Sequence, residues 1–356
     1  MALLTGCTSS AVITPTPTPT RTVENPPATQ APALTATPTP TATPRSQVLT
    51  RIPIAGIPQA LVLDTLNRRA YVRTADSVVA VDIDSLAVVD TVRLPDGTLP
   101  GGVALDRTYD TIYTSDLSGG LRVISTSLGR ELTEVAHLEL PPLLGPVAVD
   151  EGTHRVFVLD VGVVGADPEP RAGRLHVVNG NTRSLIATIP LGGHPTSIAV
   201  SSATGRVYVS EHPPTPGASG LVRVFDADTL REVTTIGVSP GGSLVLDEAT
   251  NTLYMTATVE AAGRQITFIN GRTASAATFF PAAAVAATVI GIDAARGHLY
   301  LAGLDGLFQI GHLRPGNPRP GFFSEGRHEL GGEPAGIAAD PSTRRVFVAL
   351  RSGELV

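Results

Sequence analysis

The strongest constraint on the fold is a unit that the sequence repeats seven times. Its clearest copy, Pro195 to Ser210, reads P-T-S-I-A-V-S-S-A-T-G-R-V-Y-V-S. The apolar run before the turn ends at Asp64, Asp106, Asp150, Ser201, Asp247, Asp293 and Asp340 in the successive copies. Seven residues after these anchors come Tyr71, Tyr113, Phe157, Tyr208, Tyr254, Tyr300 and Phe347. Successive anchors lie 42, 44, 51, 46, 46 and 47 residues apart. A fixed period of this length built from short strands predicts an all-β fold, a seven-bladed β-propeller with four-stranded antiparallel blades.

Each unit has a local physical reading. In Ile198-Ala199-Val200 and Val207-Tyr208-Val209 the β-branched residues favour two short strands, and the S-S-A-T-G-R between them supplies the hairpin turn. An Asp at six of the seven anchors is suited to accept hydrogen bonds from turn amides two residues on, so these carboxylates read as structural. A large ring at one fixed strand position reads as packing between blades. A full repeat continues with a third strand such as Val222-Arg223-Val224-Phe225 and a fourth such as Glu232 to Ile236.

A G-x-P turn at Gly56-Ile57-Pro58, Gly193-His194-Pro195 and Gly332-Glu333-Pro334 precedes an apolar run ending in Asp, and Tyr-Val follows at residues 71–72 and 208–209. Phe-Val stands in that place at 157–158 and 347–348. This pattern, over residues 47–356, resembles the YVTN-type bacterial seven-bladed β-propeller repeat, although the closing Thr-Asn is found in no copy. The resemblance implies the propeller fold. Propellers similar to this one include lactonases and a streptogramin-type lyase, whose sites lie at the centre of the top face and use carboxylates or histidine with a divalent metal.

The two ends are expected to complete one blade. Val48 to Ile54 reads as a fourth strand with no blade before it, and after Phe347 only Gly353-Glu354-Leu355-Val356 remains for a third strand. Pairing them closes the ring and leaves no exposed sheet edge. A third strand cut short at Val356 suggests a natural chain with a few more residues there.

The segment before the propeller reads as a tether. Leu4-Thr5-Gly6-Cys7 resembles a lipobox, which implies a bacterial lipoprotein whose Cys7 becomes the lipidated first residue and holds the protein on the outer side of a cell membrane. Only three residues precede Leu4, too few for a signal peptide, so the natural start is expected to lie upstream. Residues 8–46 are a Thr/Pro tract that cannot bury a core and favours a disordered, polyproline-II-like spacer. At about 3.1 Å per residue it reaches on the order of 120 Å. The domain organisation is therefore 1–7, 8–46 and 47–356.

Composition narrows the function. A net charge of −6 without a basic stripe argues against nucleic acid. No run of 18 apolar residues marks a transmembrane helix. One cysteine excludes both an intramolecular disulfide and a cysteine zinc site, and there is no phosphate-cradling glycine loop or G-x-S-x-G elbow. A monomer is expected, binding an envelope protein or a small ligand at the propeller's top face.

That face carries the loops from strand two to three and from strand four to the next blade. The two-to-three loops of blades 3 and 4, Val161 to Gly173 and Glu211 to Gly220, are long, and long loops on a rigid scaffold carry binding. The polar candidates are Asp160, Asp167, Glu169 and Arg171 from blade 3 and His194, Glu211 and His212 from blade 4. Blades 5 to 7 add Glu260 and Arg264, Asp305 and Glu333. His194, Glu211 and His212 form the sharpest cluster, since two histidines with a carboxylate suit a metal or acid/base set. The alternative is that these are solvated loop residues. Three functions stay open: a binding scaffold with no cofactor, a metal-dependent lyase or lactonase-like hydrolase using a divalent ion, or an accessory propeller to a redox enzyme whose partner carries the cofactor.

Overall fold

The computed structural model describes residues 50–127, 129, 131–163, 171–212, 218–259, 263–279, 287–310 and 324–356, with the backbone alone at 258, 259, 263, 264, 279 and 324–326. Cys7, the lipobox and the Thr/Pro tract lie outside these residues. The chain divides into Met1–Thr43 and Pro44–Val356, and the described residues belong to the second unit. This unit is all β among the described residues: seven four-stranded antiparallel sheets that form the blades of a propeller.

Blade 1 consists of Pro58–Asp64, Arg69–Thr74, Ser77–Asp82 and Ala87–Arg93, and blade 2 of Pro100–Asp106, Thr111–Asp116, Leu121–Ser125 and Thr133–Leu138. Blade 3 consists of Leu144–Asp150, Arg155–Asp160, Arg174–Asn179 and Ser184–Pro190, and blade 4 of His194–Ser201, Arg206–His212, Gly220–Asp226 and Glu232–Val238. Gly241–Asp247, Thr252–Val259, Gly263–Asn270 and Ser275–Phe279 form blade 5, and Ala287–Asp293, His298–Gly303, Gly306–Ile310 and Ser324–His328 form blade 6. Blade 7 takes Pro334–Asp340, Arg345–Leu350 and Glu354–Leu355 from the C-terminal end and Ile52–Pro53 from the N-terminal end, in register Ile52↔Leu355 and Pro53↔Glu354. The expected closure is therefore present, and Ile52–Pro53 is the part of the expected strand over 48–54 that pairs among the described residues.

The anchor residue explains why each repeat turns where it does. All seven anchors are buried, from 0% exposed at Asp64 to 6% at Asp247. Asp64 Oδ1 accepts the Leu66 and Asn67 amides at 3.1 and 3.0 Å, Asp106 accepts those of Thr108 and Tyr109, and Asp340 that of Ser342 at 2.9 Å. Ser201 does the same work with its hydroxyl, accepting the Thr204 amide at 3.2 Å. Four residues after every anchor the backbone is left-handed: Arg68, Asp110, His154, Gly205, Asn251, Gly297 and Arg344 all have positive φ. That conformation costs a non-glycine residue roughly 1–2 kcal/mol, and the buried side-chain acceptor offsets it. The same device closes hairpins between strands three and four, where Asp82, Asn179, Asp226 and Asn270 cap turns with Leu86, Arg183, Leu230 and Ala274 at positive φ.

Neighbouring blades are joined through the repeat aromatics, all buried to 7% exposure or less. Tyr113, Phe157, Tyr208 and Phe347 each cross to the residue that follows the third strand of the next blade. Tyr208 donates to Asn251 Oδ1 at 2.9 Å beside Gly271, and Tyr113 lies against Gly180. Phe157 instead packs with Ala227, and Phe347 with Ile83 of blade 1. In these four pairs a hydroxyl is present where the partner is glycine and absent where the partner has a Cβ. The inner strands also meet closely: a Cβ on Gly102 would lie 2.7 Å from the Val147 nitrogen, and one on Gly336 would lie 2.8 Å from that of Leu61.

Gly271→Ala would set a methyl 2.5 Å from the Tyr208 hydroxyl. It should destabilise the protein by about 1–3 kcal/mol, the usual cost of overpacking. Tyr208→Phe/Gly271→Ala, which copies the natural Phe157/Ala227 pair, should cost less than the sum of the single changes. Chemical denaturation of the four proteins reads this coupling.

Candidate functional site

Turns from strand one to two and from three to four lie on one face, so the remaining loops share the other, top face. The second strands of blades 2, 3 and 4 bring Asp116, Asp160 and Glu211 to that face, each ten residues after its anchor. These side chains are buried, at 2, 0 and 2% exposure. On the third strand, opposite the residue eight after the anchor, stand Arg122, His176 and Arg223, paired with Thr114, Val158 and Val209. Alternation along a strand puts the carboxylate and the basic residue on the same side of each blade. Blades 5, 6 and 7 carry Ala257, Gly303 and Leu350 at the carboxylate position. Three of the seven blades thus have buried polar wedges near their tops.

Each carboxylate secures loop backbone. Asp116 Oδ1 accepts the Leu99 amide at 3.0 Å and the Ser118 amide at 2.8 Å, joining the loop from blade 1 to its own turn. Its Oδ2 lies 3.9 Å from Arg122, which also donates to Glu134 at 2.9 Å. Asp160 Oδ1 accepts the Gly162 amide at 2.9 Å, and Arg171 closes on the carboxylate with two hydrogen bonds of 2.5 and 3.0 Å. Glu211 Oε2 accepts the Gly193 amide at 2.9 Å. Its Oε1 lies 3.1 Å from Arg223 Nε without the alignment of a hydrogen bond.

Burial shapes the titration of these groups. It pushes the Glu211 carboxyl up, and the nearby Arg223 opposes it only in part. Burial also pushes His176 down, so its ring is neutral; Nδ1 bonds Thr188 at 2.9 Å while Nε2 lies 4.0 Å from Asp160. Facing Asp116 from blade 1 is Arg73, fully buried, whose guanidinium is lowered to about 10 by burial and still charged at neutral pH. Arg73 bonds Thr114 Oγ1 at 2.9 Å and the Thr74 carbonyl, while its Nη2 has no partner.

The expected cluster is placed but not convergent. His194 and His212 are cross-strand partners. His212 Nε2 donates to the Gly241 carbonyl at 2.8 Å, His194 Nδ1 lies 3.4 Å from the Val161 carbonyl, and Glu211 is turned to Gly193 and Arg223. Among the described residues no group of three or more His, Cys, Asp or Glu is arranged to hold a metal ion. Asp160 and Arg171 meet as one ion pair. Glu333 lies 3.4 Å from Arg351, and both are exposed. Asp305 stands in the turn between Gly303 and Gly306. Asp167, Glu169 and Glu260 lie outside the described residues, and Arg264 is described by its backbone in the third strand of blade 5. Sequence reading missed Asp116, Arg73 and the basic partners. The recurring ten-residue offset would have found Asp116, whereas Arg73 has no counterpart in the other repeats.

No protein-family model matches this chain, and no curated protein matches it. Among solved structures it is similar to Kuenenia stuttgartiensis hydrazine synthase, with a TM-score of 0.71 and 12% identity over 85% of this chain and 95% of that one. At this identity the likeness shows the propeller fold alone.

The raised Glu211 carboxyl gives a pH dependence. Between the ordinary Glu value of 4.5 and its higher folded value, the folded state keeps a proton that the unfolded chain has released. The stability this confers is complete below the ordinary value and is lost as pH rises through the interval. Glu211→Gln keeps an acceptor for Gly193 and removes the loss. Its stability should therefore increase relative to the parent as pH is raised from 4 to 7, read by urea denaturation at each pH.

Proposed function

We propose that this chain is a membrane-tethered, extracytoplasmic lipoprotein whose propeller is a scaffold that binds an envelope protein or a small ligand at its top face. The observation that carries the scaffold reading is the use of the buried carboxylates. Asp116, Asp160 and Glu211 each hold a backbone amide at the base of a top-face loop, as stiff mounts for a binding surface would. An acid/base or metal site would instead need such groups to face a common point, and the described histidines and carboxylates of blade 4 face different partners. The tether rests on Leu4-Thr5-Gly6-Cys7 and the Thr/Pro tract, which together suit a domain displayed away from a membrane.

In a bacterial host, the full chain supplied with a working signal sequence should incorporate labelled palmitate and sediment with membranes. Cys7→Ala should abolish the label and move most of the protein to the soluble fraction. Membrane retention without label would defeat the tether. For the scaffold, metal content of the purified protein is decisive: a stoichiometric divalent ion whose removal by chelator lowers Tm would favour the lyase or lactonase alternative.

A further inference from the structure

The outer strand of a blade leaves one edge of the sheet unpaired, and a straight unpaired edge is a template on which another strand can add. In blades 1, 2, 3, 4 and 6 an extra residue interrupts that edge. Val81 pairs with Val88 and Ala80 with Asp90, so Val89 of blade 1 has no cross-strand partner. Val135, Ile186, Val233 and Glu325 are the extra residues in blades 2, 3, 4 and 6. Such a bulge kinks the strand and increases its twist, which turns the edge away from an incoming strand.

Blade 5 lacks this device. Its third and outer strands pair without a break from Asn270↔Ser275 to Ile266↔Phe279. The outer strand reads S-A-A-T-F, with neither charge nor proline. Every bulged outer strand carries one or the other: Asp90 in blade 1, Glu134 in blade 2, Pro190 in blade 3, Glu232 in blade 4 and Arg327 in blade 6. Ser275, Ala276, Ala277 and Thr278 are all exposed, whereas Asp90, Ala136, Ala187 and Thr234, which match Ala277 in blades 1 to 4, are half-buried. Blade 5 therefore presents an unbulged, neutral and uncovered edge.

The composition of this edge selects its occupant. Strand addition takes its specificity from side-chain pockets, and the small side chains from Ser275 to Thr278 build none for a foreign sequence. They do suit a twin. Antiparallel pairing of identical strands about a twofold axis at Ala277 would set Ala276 opposite Thr278, with no like-charged pair anywhere along the strand. The same arrangement about Asp90 of blade 1 would oppose two carboxylates.

We propose that two copies of this chain associate through blade 5, their outer strands pairing antiparallel so that two four-stranded blades become one continuous sheet. A contact between strand edges lies at the small, transient end of protein interfaces. Its dissociation constant is expected on the order of 10–100 µM. The monomer expected from the sequence is then the dilute form.

Sedimentation equilibrium of the unlipidated full chain should show the mass of one chain giving way to that of two between about 1 µM and about 1 mM. Ala277→Asp and Ala277→Arg each set like charges near the axis and should weaken association roughly tenfold or more, and an equimolar mixture of the two should restore it. Ile186→Asp, at the exposed bulge of blade 3, should leave it unchanged. In a chain carrying Cys7→Ser, which removes the single cysteine, cysteine placed in turn at 276, 277 and 278 should include a variant that forms a disulfide-linked dimer under mild oxidation faster than Val89→Cys. This reads the same edge even where a charged variant folds poorly. A full chain that stays monomeric at the top of the range overturns the proposal, whether its edge is free or covered by another polypeptide. Association that survives Ala277→Asp, that the mixture fails to restore, or that brings no cysteine variant to crosslink ahead of Val89→Cys also overturns it.

Discussion

The structure depends on contact between the aromatic of one blade and the third-strand end of the next. Four-stranded blades of this size cannot bury both faces alone, so each is stable only against its neighbours, and the ring must close for every blade to have two. The contact lies on the left-handed turn, because the residue that receives the ring also donates its amide to the left-handed residue: Gly271 to Asn251 at 2.9 Å, Gly180 to His154 at 2.8 Å and Ala227 to Gly205 at 3.0 Å. Turn, ring and neighbour are thus one unit. The anchor carboxylate fixes the turn, the turn presents its carbonyl, and the amide held there sets the place of the next blade's hairpin.

The same logic explains how blade 7 joins blade 1. Arg68, the left-handed residue of blade 1, bonds Asp340, the anchor of blade 7, at 2.8 Å. Burial alone would raise the Asp340 carboxyl, but bonds from Ser342, Thr343 and Arg68 hold it well below the usual carboxylate range. His154 reaches the Asp106 anchor in a similar way at 2.9 Å. Anchors that cap their own turns therefore also latch adjacent turns together on the bottom face. This is a structural use of carboxylates that would otherwise suggest chemistry.

Much of the fold was legible because its determinants are local and repeated. The anchor, the turn four residues later and the ring three beyond that all fall within eight residues, and seven copies reinforce one reading. Closure was legible from a spare strand at one end and a short one at the other. The site was much less so. His194 and His212 stand opposite each other on neighbouring strands, but what each of the three side chains meets depends on a particular carbonyl or guanidinium. His212 meets Gly241 from the next blade, and Glu211 meets an arginine on its own third strand. The first of these joins positions that the repeat does not pair, and no periodicity announces it. Arg73 is the clearest example: Ser115, Leu159, Ser210, Thr256, Ala302 and Ala349 fill its place elsewhere, so the repeat gives no reason for a buried cation.

The asymmetry of the ring has an energetic meaning. Between blades 1 and 4 the upper interfaces contain buried charges whose removal from water is costly and is only partly returned by pairing, as the unpartnered Arg73 Nη2 and Arg122 Nε show. Between blades 5 and 7 the corresponding positions are small or apolar, and packing alone must serve. Buried charge adds little net stability but penalises every alternative register, whereas apolar contact stabilises without specifying. Stiff, specified blades fit the side of the ring that carries the long top loops.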